Sequence, residues 1–102
     1  MIRFIGWKFS KGAFVPDGKS EEVSFDKIHL HMYTDADPSF NGMCTSVIKI
    51  PRDQAGKLLG VQQSDKEITD YLNSMLGFDF VPTYVPINGR TVLTKIDFAE
   101  PE

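Results

Sequence analysis

Several features that would commit a chain to one function class are scarce or missing here. There is a single cysteine, Cys44, in 102 residues, so no internal disulfide can form and the composition predicts a reducing, cytoplasmic setting rather than an exported, disulfide-stapled scaffold. No apolar run approaches the ~18 residues of a membrane helix and no charged-then-apolar leader opens the sequence, so neither membrane association nor export is expected. CxxC and HExxH spacings, the GxSxG elbow, the phosphate-binding loop and the dinucleotide fingerprint are all missing. Repeats, low-complexity stretches and linkers are missing too, which predicts one domain over residues 1–98 followed by a short acidic tail, 99–102. Finally, an excess of positive charge is lacking. The 11 Lys and Arg face 14 Asp and Glu, net −3, which excludes a uniformly basic nucleic-acid-coating protein.

What is present is a globular composition, 41% apolar with 12% aromatic residues, enough for one core. The charge is unevenly distributed. Asp97, Glu100 and Glu102 lie in the last six residues, and without them the chain carries 11 groups of each sign. The acidic end reads as a solvated terminus, or as a competitor for a basic site and a docking tip for partners.

Strand signals dominate. Ile2–Ser10 is rich in β-branched and aromatic residues, and Gly6 predicts a bulge that would put Phe4, Trp7 and Phe9 on the core side and Arg3, Ile5 and Lys8 outside. Residues 11–20, with Pro16-Asp17-Gly18, read as a long hairpin tip. Val23–Thr34 alternates clearly, with Ile28, Leu30 and Met32 on one face and His29, His31 and Tyr33 on the other. A polar loop, 35–42, leads to a third strand, Met43–Ile50, closed by Pro51.

The period then changes. Arg52–Leu59 suggests a short helical turn ended by Gly60. Ser64-Asp65-Lys66-Glu67 is a capping box opening a helix with Ile68, Tyr71, Leu72, Met75 and Leu76 on one stripe and Gly77 as its cap. Phe78–Val85 and Thr91–Phe98 read as strands joined by a type I′ turn at Asn88-Gly89, with Pro82 and Pro86 restricting the fourth strand to an edge or a strand end. The expected fold is mainly β (α+β). Five strands with one helix between the third and fourth match the oligonucleotide/oligosaccharide-binding (OB) fold, a Greek-key barrel; an α+β roll or sandwich gives a similar string.

Little in the chain suggests catalysis. Glu21-Glu22 and the Asp35/Asp37 pair fall in turn-like sequence, where carboxylates serve solubility and turn formation, so no enzyme and no cofactor is expected. His29, His31 and Cys44 are the one conceivable metal set, short of the four ligands of a closed zinc site. Single-strand binding, by contrast, needs cations for phosphates and aromatic faces for bases, and the chain interleaves the two. Arg3 and Lys8 accompany Trp7; Lys11 and Lys19 bracket Phe14; His29, His31 and Tyr33 share one strand face; Lys49 and Arg52 end the third strand; Tyr84, Arg90 and Lys95 surround the last hairpin. Trp7 and Phe9 are expected in the core rather than as stacking platforms, given the predicted bulge. Phe14 can stack bases or pack its loop, Phe40 can stack or tuck under the barrel, and Tyr33 is the leading stacking candidate.

This layout resembles the small single-stranded-DNA-binding proteins of phages and mobile elements, including the filamentous-phage type: similar length, strand order, an aromatic and basic hairpin, and an acidic end. The resemblance is architectural and rests on no diagnostic motif. It implies base stacking and phosphate contact at positions corresponding to Tyr33, Phe14, Tyr84, Lys11, Lys49 and Arg90, assembly as a homodimer or small oligomer, and a role in DNA replication or recombination with partner proteins held by the acidic tail. The charge-neutral body departs from the pattern. The rival expectation is an acidic β-rich protein-interaction module that makes no nucleic-acid contact.

Overall fold

A computed structural model describes residues 2–35, 39 and 41–101. Its strands are β1 (Ile2–Phe14), β2 (Val23–Thr34), β3 (Cys44–Pro51), β4 (Asp79–Ile87) and β5 (Arg90–Ala99). Between β3 and β4 lie a 3-10 turn, Arg52–Gln54, and two helices, α1 (Ala55–Leu59) and α2 (Asp65–Ser74). The chain is thus mainly β, and the short helical turn expected at 52–59 is a separate element from the capped helix. Asp37, Phe40 and Glu102 lie outside the described residues.

All five strands form one antiparallel sheet in the order β3-β2-β1-β4-β5. The β1–β2 ladder runs as far as Phe14↔Val23, so Lys11 and Phe14 sit on a strand rather than in the expected hairpin tip. The bulge falls at Ile5: Phe4 pairs with Met32 and Gly6 with His31, leaving Ile5 as the extra residue. Because partners across a ladder share a face, this single insertion puts Phe4, Trp7 and Phe9 on the side of Met32, Leu30 and Ile28.

β1 meets β4 only at its start. Arg3 pairs with Asp79, the Phe4 N–H donates to the Phe78 carbonyl at 2.9 Å, and the Gly77 N–H donates to the Phe4 carbonyl at 2.8 Å. Beyond that point the β4–β5 hairpin diverges from β1. Among the described residues β3 and β5 do not pair, so strand pairing does not close the expected barrel. α1 sits against β5 instead, with Ala55, Leu58 and Leu59 buried.

The core lies between the inward sheet face and the helices, with Phe4, Ile28, Leu30, Ile68, Leu72 and Ile96 fully buried. Phe98 joins three other rings, at 5.1 Å from Phe4 and 5.9 Å from both Phe80 and Tyr71. The helix start uses one half of its capping box: Ser64 Oγ accepts from the Glu67 N–H at 3.2 Å, while the Ser64 N–H donates to the Gln62 carbonyl at 2.9 Å. Trp7 ties β1 to α2, its Nε1–H donating to Asn73 Oδ1 at 3.0 Å. The β4–β5 turn has left-handed Asn88 (φ 50°) and Gly89 (φ 76°), the type I′ pattern.

Candidate functional site

The outer face of β1–β2–β3 follows directly from strand register. Reading across the three strands, its rungs are Arg3/Tyr33/Thr45, Gly6/His31/Val47, Lys8/His29/Lys49 and Ser10/Lys27/Pro51. Two further rungs on β1 and β2 alone are Gly12/Phe25 and Phe14/Val23. None of these positions holds a carboxylate. The inward face carries Asp26 opposite Lys11, and the rest of its register is apolar or uncharged. A chain of net −3 has therefore sorted a block of cations onto one sheet face.

His29 stands at the centre of the block. Its pKa is lowered from 6.5, first by loss of solvent and then by the positive charges of Lys49, Lys8, His31 and Lys27. Every charged neighbour that acts on this ring lowers its pKa, so positive charge is concentrated around His29. Beside it, Ser10, Phe14, Phe25, Lys27, His29 and Lys49 line a groove of about 250 Å³. Phe14 is 52% exposed, with its ring centroid 6.3 Å from that of Phe25. A neighbouring depression of about 410 Å³ mixes Lys11 with Asp26 and Asp53 and so lacks a single sign.

The structure thus brings together Lys8, Phe14, His29, His31, Tyr33 and Lys49 from the candidates named by sequence. Arg3 shares the face but lies 3.7 Å from Asp79. The other candidates lie elsewhere. Lys11 is on the opposite face, and Lys19 is in the exposed loop between β1 and β2. Arg52 binds Asp65, Nε to Oδ1 at 2.7 Å, with its guanidinium 6.0 Å from the Phe9 ring centre and its side chain only 14% exposed. It braces the 3-10 turn against α2. Tyr84, Arg90 and Lys95 belong to the β4–β5 hairpin, where Lys95 lies 3.7 Å from Asp97.

Phe25 and Lys27 share this face and were not among the candidates that motif reading named. The signal was the alternation itself: two and four residues before His29, both fall on the face of His29, His31 and Tyr33. Cys44 pairs with Thr34 on the inward side, away from both histidines, and no group of three metal-ligating side chains occurs among the described residues. No helix among them is long and apolar enough to cross a membrane. Compared with known proteins, the chain matches no family model, no curated protein and no solved structure.

Proposed function

We propose that this protein binds single-stranded nucleic acid, DNA in the first instance, largely without sequence preference and without catalysis, through the outer face of β1–β2–β3. The observation that carries this reading is the acid-free face, with Lys8, Lys27, Lys49 and two histidines interleaved with Phe14, Phe25 and Tyr33. Cations hold the phosphates, and rings accept bases of any identity because every base has a π-face. The strand order supports an OB-like barrel left open between β3 and β5. In that fold the second and third strands, with the first and last hairpin loops, form the binding surface. The reading includes a cytoplasmic role in replication or recombination, small-oligomer assembly, and partner proteins met by the acidic end.

Fluorescence anisotropy with labelled oligo-dT tests it. Binding at about 50 mM salt that weakens steeply as salt is added is expected, because phosphate contacts release counterions. Absence of binding under those conditions overturns it. A protein-interaction module is favoured by one separate feature, the outer face of the β4–β5 hairpin, where Val81, Val85, Ile87 and Val92 are all exposed. Under that reading the hairpin alone carries function, and charge reversal on β2 and β3 leaves partner capture unchanged.

A further inference from the structure

We infer that Phe25, folded across Gly12, is a stacking platform for one unpaired nucleobase, and that Gly12 is the positioning residue that lets it lie there. This rests on the single-strand reading and assigns a base subsite within it. Gly12 and Phe25 face each other across the β1–β2 ladder. A Cβ on Gly12 would stand 2.7 Å from Phe25 Cζ and 3.2 Å from Cε1, so the ring occupies the space any other residue would fill. Neither a turn nor a positive φ calls for glycine at this position. Glycine inside a strand is unfavourable on its own account, and close approach of another group is the physical reason left for it.

The ring remains partly exposed and borders the groove that Lys27, His29 and Lys49 share. Phe14 stands beside it, tilted by 50°, so the two rings form an open V rather than a closed stack. Phe25 and Lys27 are two residues apart on one face, about 6.6 Å along the strand. That is close to the spacing between a base and its own phosphate in an extended strand. A base on the ring therefore places its phosphate among Lys27, Lys49 and His29. Bases in a duplex are already stacked and paired, so the subsite selects single strands.

The test compares oligo-dT with an abasic strand of the same length and charge at one salt concentration. Phe25→Leu is expected to weaken oligo-dT binding roughly five- to hundredfold and abasic binding by less than about twofold, as loss of one stacked base requires. Gly12→Ala perturbs the ring from beneath, where the atom displaced is the far end of a side chain, and should reproduce the same selective loss; Phe25→Trp should retain oligo-dT binding. Thermal melts establish that the variants fold. Equal losses on both strands, or no loss on oligo-dT, overturn the platform while leaving the single-strand reading intact. Wild-type protein that binds neither strand overturns both.

Discussion

At the scale of single residues, the proposed binding turns on sign and on rings. Lys27 and Lys49 line one groove with His29 between them on the outer face. Replacing both lysines with alanine is expected to flatten the log–log salt dependence of binding by about 1.4, from about 0.7 per lost phosphate contact to a single strand, with folding unchanged; anisotropy titrations at several salt concentrations read this. Tyr33→Ala should weaken binding and leave the melting temperature unaltered, since Tyr33 lies on the outer face away from the core cluster. His29 adds a pH dependence whose sign follows from its neighbours. The groups acting on His29 are Lys49 from β3, Lys8 from β1 and His31 and Lys27 from β2; each lowers its pKa, after the larger effect of lost solvent. In the free protein the unfolded chain therefore takes up the proton first, and His29's contribution to stability is lost as pH falls below 6.5 toward its lowered folded value. A bound polyanion reverses the balance by favouring the protonated ring. Oligo-dT affinity should rise as pH falls through this window, and His29→Ala should reduce the rise.

At the scale of elements, α2 and the bulge hold the site's scaffold in place. Leu72 and Ile68 are fully buried under the sheet, and Leu72→Ala should cost about 2–5 kcal/mol in chemical denaturation, the ordinary penalty for a large-to-small core change. Ser64→Ala removes the acceptor of the Glu67 N–H and should cost about 1 kcal/mol. These elements were legible in the sequence because each is locally encoded. The capping box marks the helix start, the Asn88-Gly89 pair marks the type I′ turn, and the alternation in β2 marks both of its faces. The extent of the β1–β2 hairpin was less legible. Lys11-Gly12-Ala13-Phe14 carries a glycine and little alternation, yet cross-strand pairing as far as Phe14↔Val23 makes it strand. A glycine that looks like a turn signal is instead the floor beneath Phe25.

For the molecule as a whole, the decisive feature is segregation of charge rather than its sum. A net charge of −3 speaks against a polyanion partner, while the outer register of β1–β2–β3, which holds no carboxylate until Asp79 of β4 meets Arg3 at its border, speaks for one. From Phe25 to Tyr33 the face runs about 26 Å at 3.3 Å per residue, room for on the order of four nucleotides. Affinity for oligo-dT should therefore climb with length up to about that size and then level off, as a length series in anisotropy would show. By itself the sequence determined the strands, the capped helix, the tight turn and the two faces of β2, since period, caps and turn chemistry act between residues close along the chain. Only the tertiary structure decided which cations act together. Register across β1, β2 and β3 sets Lys8, His29 and Lys49 side by side, turns Lys11 to the opposite face, and leaves Arg52 committed to Asp65. Among the described residues it also left β3 and β5 unpaired, with α1 packed against β5. Those outcomes depend on which distant segments pair, and one bulged residue at Ile5 is enough to exchange the faces of everything that follows it along β1.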